Sequence, residues 1–109
     1  MKLKTEFING CLKISLTGEL DHHCAGEMLS AIGRALDDYM PRKCVLDMSS
    51  VSFMDSSGIA LILRVYKQMR ECGGQAFVAE PQRQPLKVME SAGIDRLVKI
   101  LTAIKEGDR

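Results

Sequence analysis

The sequence carries almost no net charge: 15 basic residues stand against 14 acidic ones, a balance of +1 at pH 7 with both histidines neutral. Without an excess of one sign there is no long-range field to collect nucleic acid or an anionic membrane surface, so a polyanion-binding module is excluded. Long apolar runs are also missing. The longest, Ile59 to Leu63, is five residues against the roughly 20 that cross a bilayer. Thr5, Glu6, Asn9 and Gly10 stand where the apolar part of a secretory signal would have to follow Lys2 and Lys4. A soluble protein of the cytoplasm is expected. The four cysteines, Cys11, Cys24, Cys44 and Cys72, lie far apart and form no C-x-x-C pair, and the two histidines, His22 and His23, add no metal-ligand spacing to them. That pattern excludes a zinc site and a redox dithiol and predicts ordinary reduced thiols. No repeat, low-complexity stretch or Pro/Gly/Ser-rich linker divides the 109 residues, so one domain, 1–109, is expected, large enough to fold around a single core without staples.

What is present is an alternation of short strands and helices. Lys4 to Ile8 reads as a strand, Asn9-Gly10 as a two-residue hairpin turn, and Cys11 to Thr17 as the antiparallel partner. Asp21 is the expected N-cap of a first helix, in which Ala25, Met28, Leu29, Ile32, Ala35, Leu36 and Tyr39 recur at helical spacing until Pro41 ends the run. Lys43 to Met48 is a short apolar strand, reached through a helix and therefore parallel to the strand before it. A second helix is expected from Asp55-Ser56-Ser57 to Cys72, stopped by Gly73-Gly74, and Ala76 to Ala79 is the next strand. Pro85 opens a third helix closed by Gly93, and Val98 to Leu101 is a last strand followed by a short tail to Arg109. The order β-β-α-β-α-β-α-β predicts an α/β fold with a mixed, mostly parallel sheet.

In an open α/β sheet, function collects where strand ends hand over to helices. That rule selects Gly18 to His23 and Phe53 to Gly58 and predicts that the two segments share one edge. Advancing about 100° per residue from Ser56 puts Ile59, Ile62, Val65, Tyr66, Met69 and Gly73 on one arc, the expected buried face of the second helix. Ser56, Ala60, Arg64, Lys67 and Glu71 fall on the outward arc, with Leu61 and Leu63 near its edges as expected partner contacts. Asp55-Ser56-Ser57-Gly58 reads first as a helix cap, because Asp and Ser satisfy the unpaired N–H groups of a first turn. A cap alone leaves unexplained an outward Ser56 hydroxyl flanked by small Gly58 and Ala60, which would let another surface come close. Phosphorylation of Ser56 fits that setting: it adds about −1.5 to −2 charge at pH 7, and inside an interface that charge expels a partner.

Leu16-Thr-Gly-Glu-Leu-Asp-His-His23, Val51-Ser-Phe-Met-Asp-Ser-Ser-Gly-Ile59, Arg64-Val-Tyr-Lys-Gln68 and Gly73-Gly74 together make the chain resemble the anti-sigma factor antagonists of the STAS family, over nearly its whole length. The resemblance implies a STAS-like single domain that is a switch and a kinase substrate, not an enzyme. It implies that the unphosphorylated protein binds an anti-sigma factor that is itself a serine kinase, releasing a sigma factor for sporulation-type transcription. The kinase, using its own ATP, would then phosphorylate Ser56, and a PPM-type serine phosphatase would reset the switch; no cofactor belongs to the chain itself. Glu19 and Asp21 match the family's acidic loop that faces basic residues on the kinase. With Asp55, Ser57, Gly58, Ala60, Arg64 and Lys67 they make up the expected partner surface. Ile59-Ala60 stands where many relatives have Leu-Gly. A second class stays open, an interaction module of the same family serving a general stress sigma pathway or a scaffold complex. A monomer is expected, because no stripe of apolar residues is left once the three helices face the sheet.

Other chemistries fail on spacing. A nucleophile elbow needs G-x-S-x-G, but Met54 takes the first glycine position for Ser56 and Asp55 takes it for Ser57. His22 and His23 adjoin, about 100° apart at a helix start, and cannot share a metal as an i, i+4 pair would. Asp47 is placed roughly like a phosphoaspartate acceptor but lacks the acidic pair that would hold Mg²⁺. Gly73-Gly74 follows a helix and reads as its C-terminal stop, not as a phosphate-cradling loop.

Overall fold

The computed structural model describes residues 1–102; the tail expected to end at Arg109 lies, from residue 103 on, outside the described residues. The elements follow the expected order: β1 (Lys2–Ile8), β2 (Cys11–Leu20), α1 (Ala25–Tyr39), β3 (Lys43–Met54), α2 (Ser56–Glu71), β4 (Gln75–Ala79), α3 (Arg83–Ser91) and β5 (Lys99–Leu101), with a 3₁₀ turn at Ile94–Arg96 before the last strand. The strands lie side by side in chain order. β1 is antiparallel to β2 and the later neighbours are parallel, so each helix is a crossover. Asn9 and Gly10 both take left-handed backbone, φ 53° and 80°, as a type I′ hairpin turn requires. No helix among the described residues is long and apolar enough to cross a membrane.

One face of the sheet carries the core. Leu12, Ile14 and Leu16 of β2, Cys44, Leu46 and Met48 of β3 and Val78 of β4 are buried, alternate residues whose side chains share a face. Helices α1 and α2 close over them with Met28, Ile32, Leu36, Ile62, Val65 and Met69. The intervening residues line the other face, where Lys13 Nζ lies 3.6 Å from Asp47 Oδ2.

β2 and β3 run further than the sequence suggests, to Leu20 instead of Thr17 and to Met54 instead of Met48. The ladder steps from Ser15↔Asp47 to Thr17↔Ser50 and from Gly18↔Val51 to Glu19↔Phe53, so each irregularity adds one extra residue to β3, a β-bulge. Met48, Val51 and Met54, all fully buried, therefore recur every third residue. A period-two reading loses the strand at the first bulge, where Ser49 N–H turns to Asp47 Oδ1 at 3.0 Å.

Two local expectations are corrected. α1 starts at Ala25 with Cys24 as its N-cap. Asp21 instead builds a turn ahead of it, its Oδ1 accepting from His23 N–H at 3.0 Å and its carbonyl from the N–H groups of Cys24 and Ala25. On α2 the buried residues are Gly58, Leu61, Ile62, Val65 and Met69, an arc rotated by about 50° from the expected one at 100° per residue. Leu61 is thus core instead of a partner contact, while Ile59 and Tyr66 are half-buried, Gly73 is exposed and Leu63 is exposed. The rotation follows from the neighbours. α1 packs on the side of Gln68, whose Nε2 donates to Asp37 Oδ1 at 3.1 Å and which lies about 20° from Leu61 around the helix, whereas the Ile59 side opens on a groove toward α3.

Candidate functional site

β2 and β3 finish level with one another. Leu20↔Met54 is their last pair, and Asp55 N–H donates to the Leu20 carbonyl at 3.2 Å. Both segments chosen from the sequence therefore meet at one edge of the sheet. Asp55 caps α2, its Oδ1 accepting from Ser57 N–H at 2.8 Å and so satisfying one of the unpaired donors of the first turn. Its Oδ2 accepts from His22 N–H at 3.2 Å and lies 3.6 Å from His22 Nδ1. Partial burial works against the charge on Asp55, but the N–H groups of Ser57 and His22 and the His22 imidazole outweigh it, holding the carboxyl below the usual carboxylate range. Asp21 behaves alike: burial opposes its charge, and the His23 N–H, the His23 imidazole and the Cys24 thiol overcome that and lower it. The rings of His22 and His23 lie 4.0 Å apart, centroid to centroid, each beside its own carboxylate. Among the described residues no group of three His, Cys, Asp or Glu side chains is placed to hold a metal ion.

Ser56 is the first residue of α2 and is exposed. Glu19, exposed at the end of β2, and Asp21, His22 and Asp55 surround the same edge; Ser57 is half-buried, its N–H turned to Asp55. Gly58 does not belong to the outward surface. It is buried, and a Cβ built there would run into Met54 Cγ and come 3.2 Å from Leu20 Cδ2. Its missing side chain seats α2 on the ends of β2 and β3 and leaves nothing open for a visitor, which corrects its assignment as a partner contact. Ala60, Arg64 and Lys67 are exposed along one strip of α2, about 6, 12 and 16 Å from Ser56 by helical rise. Arg64 and Lys67 therefore lie toward the other end of the helix, beside Asp37 and Gln68.

Sequence reasoning missed two neighbours of Ser56, Gln84 and Lys87, and gave Phe53, at the start of the selected segment Phe53 to Gly58, no role of its own. Phe53 is exposed across the ladder from Glu19; the bulges that re-aim it leave no simple periodic signal. Gln84 of α3 holds both backbone groups of Met54, its Oε1 accepting from Met54 N–H at 2.9 Å and its Nε2 donating to the Met54 carbonyl at 3.0 Å. Gln82 Nε2 donates to the Ser49 carbonyl at 2.8 Å. Because β4 leaves β3 after Asp47↔Ala79, these two glutamines take the place of a strand along the last part of β3. Lys87 lies with Ser56, Ile59, Gln84 and Val88 on a shallow, mainly apolar groove of about 570 Å³ between α2 and α3. A glutamine and a lysine on an amphipathic helix read as solvated, so the sequence gives no hint of either role.

Residues 2–107 match the STAS domain family. The chain is similar to the anti-sigma F factor antagonist of Paenibacillus polymyxa, 28% identical over 100 residues that make up 92% of this chain and 86% of that protein. Its fold is similar to that of the anti-sigma factor antagonist SpoIIAA in its unphosphorylated form, at 25% identity and a TM-score of 0.80, covering 94% of this chain and 90% of the other. The Bacillus cell fate determinant SpoIIAA in the phosphorylated form aligns at 25% identity and a TM-score of 0.72, covering 94% and 93%.

Proposed function

The chain belongs to the STAS domain family, and on that footing we propose that it is an anti-sigma factor antagonist switched by phosphorylation of Ser56. The unphosphorylated form binds an anti-sigma factor that is also a serine kinase, displaces the sigma factor held there and lets sporulation-type transcription begin in the cytoplasm. The kinase then moves the γ-phosphoryl group of its own ATP onto Ser56 Oγ. The O–P bond to serine forms, the bond to ADP breaks, and the serine proton passes to a base on the kinase. A PPM-type serine phosphatase hydrolyses the ester and restores the first state. The protein is regulatory, a binding partner and a substrate, with no cofactor of its own.

The observation that carries this reading is the exposed Ser56 at the first turn of α2, beside the exposed acidic end of β2. A helix N-terminus tolerates an added phosphate, so modification leaves the fold intact. The carboxylates of Asp21 and Asp55 stay ionised far below neutral pH, so a phosphate arriving next to them concentrates like charge. Burying that charge against a partner is unfavourable, which makes expulsion the expected effect. The similar protein SpoIIAA is seen in both unphosphorylated and phosphorylated forms, which supports a two-state cycle here. The test is intact mass spectrometry with site mapping after incubation with a candidate anti-sigma kinase and ATP. One phosphate on Ser56, followed by loss of kinase binding, is expected. No phosphate, or one confined to Ser57, overturns the reading.

A further inference from the structure

The two edges of the sheet are unequal. β5 has three residues and pairs only Phe77, Val78 and Ala79, a short edge with little to offer another chain. β1 has seven residues, runs without irregularity along β2 and has no strand on its far side among the described residues. Its neighbourhood is also apolar. Phe7, Ile8, Tyr39 and Met40 are 41%, 62%, 44% and 78% exposed, and the Phe7 ring stacks on Tyr39 with centroids 4.8 Å apart. Arg42 N–H donates to the Gly10 carbonyl at 2.8 Å, tying the end of α1 to the hairpin, so the four residues collect at the pole away from Ser56. The monomer expected from the sequence considered helix faces; these four exposed apolar side chains lie on β1 and at the C-terminal end of α1 instead.

We propose that β1 is a homodimer seam, in which the β1 strands of two copies pair antiparallel about a twofold axis at Thr5 and join the two sheets into one. The register is set by the strand itself. Pairing about Thr5 places Lys4 opposite Glu6 of the partner subunit, and Glu6 opposite the partner's Lys4, on the open face. On the core face Leu3 meets Phe7 of the partner subunit, and the reverse, so the half-buried Leu3 and exposed Phe7 cover one another. Moving the axis by one residue to Glu6 sets two glutamates opposite and leaves Lys4 against an isoleucine. Moving it to Lys4 sets two lysines opposite, a repulsion that the flanking Lys2 and Glu6 pairs must offset; only the Thr5 axis pairs opposite charges with no like-charge pair. Lys2 and Lys4 alone would mark an edge guarded against pairing; Glu6 turns the same edge into one that accepts a copy of itself and repels a shifted one. The contact is isologous and closed, one patch used twice, so assembly stops at two. Ser56 lies at the end of β3, two strands from the seam, and the dimer presents two acceptor serines.

Sedimentation of the purified chain across a range of concentrations tests this, with the average mass expected to rise from 12.1 kDa toward twice that value. Glu6→Lys places lysine against lysine at both charged positions and is expected to weaken association about tenfold or more, with an unchanged circular dichroism spectrum. The exchange Lys4→Glu with Glu6→Lys restores opposite signs and is expected to restore association. A monomer mass at every concentration overturns the seam. So does a dimer that Glu6→Lys leaves intact, which would place the contact elsewhere, or a loss in Glu6→Lys that the exchange fails to rescue.

Discussion

His22 donates its backbone N–H to the carboxylate that caps α2: Asp55 Oδ2 accepts at 3.2 Å while Asp55 Oδ1 accepts from Ser57 at 2.8 Å. One side chain therefore fixes the turn after β2 against the first turn of α2. Both oxygens are engaged, so Asp55 works as a strut between Glu19-Asp21 and Ser56.

Asp55→Ala removes the cap and the tie together. The unfolding temperature is expected to drop, and kinase affinity with it, although no exposed partner residue has been altered; Asp55→Asn, which keeps an acceptor for Ser57, should lose less. Acid should act on the same strut. The carboxyls of Asp21, Asp47 and Asp55 are all lower in the folded chain than their ordinary value, so the stability they contribute is fully present above the unfolded pKa of about 3.9 and is lost as pH falls through the folded values. Thermal melts should thus stay level from neutral to about pH 5 and decline below about pH 4, and Asp55→Asn should shallow the decline. An Asp55→Asn profile superimposable on wild type would remove Asp55 from this account.

Ser56→Ala keeps the surface without the acceptor. It is expected to bind the kinase as wild type does, to take no phosphate, and to melt within about 1 kcal/mol of wild type, since the position is exposed at a helix start. Ser56→Asp imposes a permanent charge smaller than that of a phosphate and should bind the kinase more weakly; equal binding, read by calorimetry, would show that charge does not drive expulsion.

Gly58→Ala separates packing from propensity. In an open helix the change is favourable by about 1 kcal/mol, but here the new Cβ meets Met54 and Leu20 in the core. The outcome expected from chemical denaturation is a net loss of about 1–2 kcal/mol from overpacking, with Ser56 displaced and phosphorylated more slowly. A gain in stability would mean that Met54 moves aside freely.

Gln84→Ala leaves the Met54 N–H and carbonyl, partly buried, without their side-chain partner, an omission worth about 1–3 kcal/mol. The last turn of β3 should loosen next to Ser56, so kinase turnover on this variant should fall even where the variant is fully folded. Gln84→Glu can accept from Met54 N–H but sets a carboxylate against the carbonyl, and hydrogen exchange at residues 53–57 is expected to quicken in both variants.

The cysteines offer an internal check. Burial, with Cys11 nearby, pushes the Cys44 thiol up to about 12, whereas Cys72 is exposed at the end of α2. Alkylation at pH 8 should label Cys72 quickly and Cys44 only on unfolding; early labelling of Cys44 would contradict the buried core face of β3.

The order of elements, the hairpin at Asn9-Gly10 and the meeting of the two loops were legible because each rests on local chemistry: a turn that needs left-handed residues, a helix period, a strand handing over to a helix. Outward Ser56 was equally legible. Gly58 was not, because a small residue reads the same whether the space beside it is empty or filled by Met54. The reach of β3 was hidden by its two bulges, which turn a period of two into a period of three at Met48, Val51 and Met54. Gln84 was hidden for another reason: its partner is a backbone 30 residues away, and nothing in a linear pattern announces which glutamine will replace a missing strand.

That replacement has a kinetic meaning. With Met54 clamped by Gln84 and Asp55 held by His22, the segment leading to Ser56 is braced from both flanks before any phosphate arrives. On the proposed phosphorylation of Ser56 the braced segment is expected to keep its conformation. The two forms should then share one heat capacity of unfolding, and the tempo of the proposed switch would be set by the kinase and the phosphatase, with no lag contributed by this chain.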